Sequence, residues 1–79
     1  MKVKIRYFAA FREATGLETE AVDTSASTTG ALFNECRARH EGLENFTASL
    51  VAINDEMAQW ESSIENDDEV LFFPPVAGG

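Results

Sequence analysis

The sequence predicts an α+β domain in which one main helix packs on one face of a mixed sheet of four or five strands. Three observations support this fold class. The chain opens with alternating polar and apolar residues, continues into a stretch with helical spacing, and then contains short apolar runs separated by turn residues. Its 79 residues, 44% of them hydrophobic, suffice for one domain with a modest core.

The first strand is predicted over residues 2–8, where polar and apolar side chains alternate. Its inner face carries Val3, Ile5 and Tyr7, and its outer face carries the basic residues Lys2, Lys4 and Arg6. Phe8 also falls on this charged outer face. Two interpretations stay open for it: a local group such as Phe11 covers the ring, or the ring awaits a partner protein.

A turn or short helix is predicted for residues 9–15, because Gly16 follows as a left-handed stop. Residues 17–23 then return as an antiparallel strand, whose acidic side lies beside the basic side of the first strand. Thr28 is a favourable N-cap for a helix that extends to His40. The helix face that is predicted to meet the core carries Thr29, Leu32, Phe33, Cys36 and His40.

A hairpin is predicted in the second half of the chain. Residues 50–53 form a short apolar strand, residues 54–56 form a turn, and residues 57–60 form the returning strand. Phe46 lies in the poorly patterned connection that precedes this hairpin, and we expect its ring to cover the core.

The final strand is predicted over residues 69–73, after a short strand or turn at 62–64 and a turn at 66–68. Its continuous apolar run indicates burial on both faces at the centre of the sheet. A right-handed crossover is satisfied when the first and last strands are central and parallel and the helix crosses one face. This is the β-grasp, or ubiquitin-like, arrangement, predicted for residues 1–73 and followed by an extended tail over 74–79.

Charge is distributed unevenly along the chain. Six Lys and Arg residues face fourteen Asp and Glu residues, for a net charge of −8, and residues 40–79 contain no Lys or Arg. An acidic surface repels phosphate backbones and anionic lipid, which argues against nucleic-acid and membrane binding. It favours a basic protein partner that approaches the C-terminal half of the chain. Solubility is the alternative reason for most of these carboxylates.

The sequence also indicates a cytoplasmic protein. A single cysteine cannot form an internal disulfide, which suits a reducing compartment. No apolar run reaches the roughly 18–20 residues of a membrane span, and the first residues lack the apolar core of a signal peptide.

No active site is predicted within the domain itself. One cysteine and one histidine cannot assemble a metal site. Cys36, on the apolar face of the helix, is predicted to be a core residue rather than a nucleophile, and His40 a cation at the helix end. A Gly-rich phosphate loop is also missing, so no bound cofactor is expected. By elimination, the candidate reactive group is the terminal carboxylate.

The last six residues form the candidate tail: Pro74, Pro75, Val76, Ala77, Gly78 and Gly79. Proline restricts its own backbone and that of the preceding residue, so the tail leaves the fold extended and can reach roughly 15–20 Å. Gly78 and Gly79 lack a Cβ, which lets a partner enzyme close tightly around the backbone. The alternative for a Gly-Gly end is a frayed terminus or a cloning remnant.

The carboxylate of Gly79 becomes reactive only when its oxygen is made a leaving group. An enzyme that holds ATP can convert the carboxylate to an acyl adenylate, and a sulfur or nitrogen nucleophile can then displace AMP. A protein-bound persulfide would yield a C-terminal thiocarboxylate, which is a sulfur donor on a flexible arm.

Four segments form a recognisable set. They are Phe-Phe-Pro-Pro-Val-Ala-Gly-Gly at 72–79, Phe-Ala-Ala-Phe-Arg-Glu-Ala-Thr-Gly at 8–16, Thr-Thr-Gly-Ala-Leu at 28–32 and Val-Ala-Ile-Asn at 51–54. Together they resemble the small, sulfur-carrier subunits of molybdopterin synthase, a ubiquitin-like family. The resemblance spans the whole chain, and its ending is the most specific part. One departure is Asp67, where the family has glycine; aspartate tolerates a left-handed turn.

The resemblance implies that Gly79 is adenylated by an ATP-dependent activating enzyme and then thiocarboxylated by a sulfur donor. It further implies a heterotetramer with the large subunit of molybdopterin synthase, in which two sulfur transfers convert cyclic pyranopterin monophosphate into molybdopterin. Carried over by position, the residues that line the docking surface are Phe8, Arg12, Met57 and Phe73.

Three alternatives stay open. Sulfur carriers for thiamine, cysteine or tRNA thiolation share the terminal glycines, so these glycines do not fix the pathway. A ubiquitin-like modifier would share the activation step but would form an isopeptide bond with target lysines. A plain interaction domain would work without Gly78 and Gly79.

Overall fold

The strands and the main helix follow one another in the predicted order. The structure is a computed structural model of the chain, and it describes residues 1–43 and 50–73. Over these residues the elements are β1 (Lys2–Tyr7), α1 (Ala10–Thr15), β2 (Thr19–Asp23), α2 (Thr29–Arg39), a 3-10 helix (Glu41–Leu43), β3 (Leu50–Ile53), β4 (Glu56–Ala58) and β5 (Glu69–Phe73). β1 ends one residue earlier than predicted, and β2 begins two residues later than predicted. Differences of one or two residues are usual at the ends of elements.

The strands form one mixed sheet in the order β2-β1-β5-β3-β4. β1 pairs antiparallel with β2 and parallel with β5, while β5 pairs antiparallel with β3. The prediction that the first and last strands are central and parallel is therefore confirmed. Because α2 packs on one face of this sheet, the predicted β-grasp, ubiquitin-like fold class is confirmed as well.

The start of α2 is fixed by its cap and by a neighbouring loop. Thr28 Oγ1 accepts a hydrogen bond from the Ala31 amide at 3.2 Å, as predicted for an N-cap. The Gly30 amide donates to the Trp60 carbonyl oxygen at 2.9 Å. These bonds satisfy amides that the first helical turn leaves free, so the helix begins at a defined residue.

The core lies between α2 and the inner face of the sheet. The ring of Phe33 lies 4.8 Å from that of Phe72 and 5.9 Å from that of Trp60, measured between centroids. The buried cluster comprises Val3, Ile5, Tyr7, Phe11, Ala26, Leu32, Phe33, Cys36, Leu43, Val51, Ile64, Val70 and Phe72. The predicted inner faces of β1 and α2 are thereby confirmed, except that His40 is only half-buried.

Two left-handed residues lie where the sequence predicts them. Gly16 has a φ of 73°, and its amide donates to the Arg12 carbonyl oxygen at 2.9 Å, which ends α1. Asp67 has a φ of 70°, and its amide donates to the Lys2 carbonyl oxygen at 2.6 Å. The aspartate therefore adopts the left-handed turn conformation that it was expected to tolerate.

The hairpin between β3 and β4 turns in two residues, and the predicted three-residue turn is wrong. Asn54 and Asp55 both have positive φ, at 51° and 70°. This backbone matches the twist of paired strands in a two-residue hairpin turn. Glu56 consequently pairs with Ile53 as the first residue of β4, and the predicted returning strand over 57–60 is shifted and shortened.

β5 is not buried on both faces, contrary to the prediction. Val70 and Phe72 are fully buried, whereas Leu71 and Phe73 are partly exposed. The reason is that α2 covers one face of the sheet, so the apolar run of β5 meets two different environments. Leu71 and Phe73 belong to the face opposite α2.

The remaining predictions concern connections. Ser63, in the short strand or turn predicted at 62–64, forms an isolated antiparallel β-bridge with Thr28. Phe46 and the predicted tail over 74–79 lie outside the described residues. In the described part of the chain, none of the helices has the length and apolar character needed to cross a bilayer.

Candidate docking surface

The sheet face opposite α2 carries an apolar surface with a basic border. Strand register places its residues in two rows. The first row crosses the strands through Arg6, Leu71, Ala52 and Met57. The second row pairs Phe73 with Leu50 and brings Phe8 beside Phe73. We call the surface formed by these seven residues the open face.

Three apolar side chains of the open face are strongly exposed. Phe8 is 49% exposed, Leu50 53% and Met57 61%. Ala52, at the centre of the surface, is only 4% exposed because its short side chain lies below those of its neighbours. Contiguous exposed apolar area of this kind marks surfaces that bind other proteins.

Phe8 packs against Phe73, with ring centroids 5.8 Å apart and ring planes tilted by 49°. A tight turn fixes its backbone: the Phe11 amide donates to the Phe8 carbonyl oxygen at 3.0 Å, and the intervening Ala9 has a φ of 49°. Phe11 itself is buried against Phe33 in the core. Because half of Phe8 remains exposed, the geometry favours the interpretation in which its ring awaits a partner.

Basic side chains border the open face along β1. Lys4 Nζ lies 3.8 Å from Glu69 Oε2, and Arg6 Nη1 lies 3.5 Å from Glu69 Oε1. Exposed ion pairs of this kind stabilise a fold by about 0–1 kcal/mol each. Since two cations share one carboxylate, this border is positive in a chain whose net charge is −8. It suits a partner surface that carries carboxylates.

The structure brings three of the four predicted docking residues onto one face. Phe8 and Phe73 are in contact, and Met57 lies in the adjacent row. Arg12 lies on α1 and lines a cavity together with Phe8, at the edge of the open face. The docking role of these four residues stays a prediction.

Sequence reasoning misses Leu50, Leu71 and Ala52 as members of the open face. The available signal is the period of two along a strand, which places Leu50 and Ala52 on one side and Val51 on the other. In a strand made only of apolar residues, the sequence does not show which side chains face the core. The register that sets Leu50 opposite Phe73 depends on the pairing of β3 with β5, which no local pattern specifies.

On the opposite side of the sheet, Glu20 joins β2 to β1 and to the end of α2. Its Oε1 atom accepts a hydrogen bond from Tyr7 Oη at 2.7 Å, lies 3.0 Å from His40 Nε2 and lies 3.5 Å from Arg39 Nη2. Burial alone would raise the pKa of Glu20, but the hydrogen bonds from His40 and Tyr7 and the charge of Arg39 lower it. Burial, together with Cys36 and Glu20, raises the pKa of Tyr7. These groups stabilise the fold away from the open face.

The described part of the chain contains one buried thiol and no cluster of metal-ligating side chains. Cys36 is fully buried, which confirms its predicted place in the core, and burial raises the pKa of its thiol. Within residues 1–43 and 50–73, no group of three or more His, Cys, Asp or Glu side chains is placed to hold a metal ion.

Two solved structures share this fold. SAMP1 from Haloferax volcanii superposes with a TM-score of 0.84 and 27% identity, and the match covers 100% of both chains. A chain from the complex of subunits 1 and 2 of the molybdopterin-converting factor from Helicobacter pylori superposes with a TM-score of 0.66 and 25% identity, again over 100% of both chains.

Sequence comparison identifies the family. The chain is 32% identical to the molybdopterin synthase sulfur carrier subunit of Haemophilus influenzae, over 98% of this chain and 99% of that one. The sequence model of the ThiS family matches residues 5–79, which is nearly the whole chain. This chain therefore belongs to the ThiS family.

Proposed function

We propose that this chain is the sulfur-carrier subunit of a molybdopterin synthase and that Gly79 carries the sulfur. The observation that carries the proposal is the 32% identity, over almost the full length of both chains, to a protein of that name. The open face supports it, because a carrier without its own active site needs a surface for docking on the enzyme that uses the sulfur. Phe73, the last residue of β5, lies on that surface and directly precedes residues 74–79.

The proposed chemistry begins at the carboxylate of Gly79. An activating enzyme joins this carboxylate to the α-phosphate of ATP, which forms an acyl adenylate and releases pyrophosphate. A protein persulfide attacks the acyl carbon and displaces AMP, which leaves an acyl disulfide. A thiol then attacks the donor's sulfur in the S–S bond, so the carrier leaves as a thiocarboxylate and the donor is left in a disulfide with that thiol.

The proposed acceptor site belongs to the large synthase subunit. The carrier docks through the open face and inserts its tail, so that the thiocarboxylate meets cyclic pyranopterin monophosphate. Two such transfers form the dithiolene of molybdopterin, in a heterotetramer of two carriers and two large subunits. The Helicobacter pylori complex of subunits 1 and 2, which contains a chain of this fold, supports the choice of partner.

Intact-mass analysis tests the sulfur-carrier chemistry. The chain is incubated with the activating enzyme of the same organism, ATP and a persulfide donor. We expect a mass gain equal to the exchange of one oxygen for one sulfur, and no gain in a matched chain that lacks Gly78 and Gly79. A competent activating enzyme that leaves the full chain unchanged would refute the proposal. A shortened chain that still supports molybdopterin formation would indicate a plain interaction domain instead.

A second candidate function is protein modification. The observation that favours it is the superposition on SAMP1 from Haloferax volcanii, one of the archaeal proteins whose structures are described as small archaeal modifier proteins. In this case the adenylated Gly79 would acylate a lysine amine and release AMP. A denaturing gel of cell extract distinguishes the two functions, because only a modifier forms covalent adducts that resist reducing agent. Adducts that disappear with a thiol would belong to the sulfur-transfer route.

A further inference from the structure

β2 forms one edge of the sheet, and β1 is its only partner strand among the residues that the structure describes. The Tyr7 amide donates a hydrogen bond to the Glu18 carbonyl oxygen at 2.9 Å, and the Thr24 amide donates to the Met1 carbonyl oxygen at 2.8 Å. Backbone groups point to alternate sides along a strand, so the even-numbered residues of β2 face β1. The residues whose amides and carbonyls face outward are Thr19, Ala21 and Asp23.

This outer edge of β2 is open to pairing. Its three outward-facing residues are exposed, and within residues 1–43 and 50–73 no backbone hydrogen bond from another segment reaches their outward groups. Natural edge strands are commonly blocked by proline, lysine, a bulge or very short length. β2 has five residues, none of them proline or lysine, and it pairs with β1 without a bulge. The opposite edge strand, β4, has only three residues. β2 is therefore the edge that is suited to accept a further strand.

The outer edge of β2 is complementary to the same edge of a second copy. When two β2 strands pair antiparallel about a two-fold axis at Ala21, the Ala21 residues of the two copies lie opposite each other. Thr19 of each copy then lies opposite Asp23 of the other. These pairs are of the hydrogen-bonded type, in which the two residues exchange both N–H to carbonyl bonds. All five residues of both strands take part.

The other symmetric registers are less favourable. An axis at Glu20 would place the two Glu20 carboxylates directly opposite each other, and like charges in that position destabilise a sheet. An axis at Val22 would place Thr19 opposite residue 25, beyond the end of β2. With the axis at Ala21, Glu20 lies opposite Val22 and keeps its hydrogen bond from Tyr7.

The side chains on the open-face side of this pairing are complementary in charge. Arg6 lies beside Thr19 in the sheet, and Thr19 would lie beside Asp23 of the second copy. Two strand spacings separate Arg6 from that aspartate by roughly 10 Å between Cα atoms, a gap that their two side chains can span over the short threonine. Asp23 pairs with the N-terminal amine of Met1 at 3.1 Å, yet its side chain is 76% exposed. Its carboxylate can therefore accept a second cation, and Arg6 can add it to its existing pair with Glu69.

We propose that two copies of this chain associate through their β2 edges, so that the five strands of each copy join into one sheet of ten. The inference goes beyond the proposed function and does not rest on it. The two-fold axis is perpendicular to the sheet, so both open faces lie on the same side. Leu50, Met57 and Phe73 lie on strands away from β2 and stay uncovered. Pairing also covers an edge that would otherwise template aggregation.

The first test is sedimentation equilibrium over a range of concentrations, at ~0.15 M salt, where a Debye length of about 8 Å screens the net charge of −8 on each copy. We expect a reversible dimer that dissociates on dilution. Ala21→Lys places like charges at the axis and should weaken association at least tenfold, as an order of magnitude. Ala21→Pro removes an outward N–H that β1 does not use, and it should have the same effect.

Ala38→Lys is the matched control, because it adds the same charge at an exposed position of α2. We expect it to dimerise like the unaltered chain. Circular dichroism establishes that each variant is folded, and Ala21→Lys serves as the test if proline distorts β2. A chain that stays monomeric at every concentration would overturn the inference. Equal association of Ala21→Lys and Ala38→Lys would overturn it as well.

Disulfide trapping tests the register. In the proposed pairing the Cα atoms of the two Ala21 residues are about 5.5 Å apart, so Ala21→Cys should form a covalent dimer under mild oxidation. Thr19→Cys should not link to itself, because its two copies lie roughly 14 Å apart, but it should link when mixed with Asp23→Cys. The native Cys36 is buried and does not compete. Linking of Thr19→Cys to itself as readily as Ala21→Cys, or no linking of Ala21→Cys, would overturn the inference.

Discussion

Phe8 and Phe73 lie 65 positions apart in the sequence, yet their ring centroids are 5.8 Å apart. The contact follows from the parallel pairing of β1 and β5, in which Tyr7 lies opposite Phe72 and the residue after each of them turns to the open face. Neither segment forms this aromatic pair alone. The candidate docking surface is therefore a product of sheet topology.

Phe8→Glu should abolish docking without unfolding the domain. The ring is half exposed, so its loss costs little stability, but a charge placed there must be desolvated when a partner covers the surface. We expect binding to the large subunit to weaken at least about thirtyfold in calorimetry, the range of an interface hot spot. Ala38→Glu, which adds the same charge on an exposed position of α2, should bind normally. Equal affinity of the two variants would contradict the docking assignment.

Leu50→Ser tests a residue that the sequence does not single out. Leu50 is 53% exposed and lies opposite Phe73, so we expect the change to lower the free energy of unfolding by less than about 1 kcal/mol. Binding to the large subunit should weaken by about fivefold or more. Urea unfolding and calorimetry on the same sample separate these effects. Unaltered binding would place Leu50 outside the interface.

Phe72→Ala should act mainly on the stability of the fold, and Phe73→Ala mainly on docking. Phe72 is fully buried between Phe33 and Trp60, and truncation there costs about 3–5 kcal/mol, most of the stability of a small domain. Phe73 is partly exposed, so its truncation should cost about 1–2 kcal/mol and should mainly weaken docking. Circular dichroism during urea unfolding measures the first effect, and calorimetry the second. Similar stability losses would contradict the two-face description of β5.

Glu20→Gln should destabilise the fold in a manner that depends on pH. The pKa of Glu20 is lowered in the folded state, so its charge stabilises the fold above the ordinary value of 4.5, and this stabilisation is lost as pH falls through the folded-state pKa. At pH 7 we expect a loss of about 1–2 kcal/mol, because Tyr7, His40 and Arg39 lose a charged acceptor.

Urea unfolding at pH 7 and at pH 3 checks this prediction. The difference between Glu20→Gln and the unaltered chain should shrink at the lower pH, because protonation of Glu20 removes the charge that distinguishes the two chains. Glu18→Gln, two residues away and exposed, is the control and should have little effect at either pH. A difference that stays constant with pH would show that Glu20 acts by shape rather than by charge.

Local patterns account for the parts of the fold that the sequence predicts well. The alternation in β1 reports one buried face, and Thr28 before a helical apolar face reports the start of α2. Both signals act between near neighbours in the chain. The length of the hairpin turn between β3 and β4 is harder to predict, because Asn54 and Asp55 suit turns of two or three residues. The choice between these two lengths depends on how the strands pair.

The docking surface is predictable only in part, for the same physical reason. Phe8 is conspicuous because it is an apolar residue on a charged strand face. Leu50 and Leu71 are not conspicuous, because the sequence of an apolar strand is the same whether one or both of its faces are buried. The number of layers over a sheet is decided by the whole chain, and here one main helix covers one face.

The central place of β5 has a consequence for synthesis on the ribosome. Until residues 69–73 have left the exit tunnel, the β1–β2 pair and the β3–β4 hairpin lack the strand that joins them into one sheet. Isolated hairpins are marginal in water, so the domain closes only when its last strand arrives. A product that ends before residue 69 would thus lack the strand that unites the two parts of the sheet.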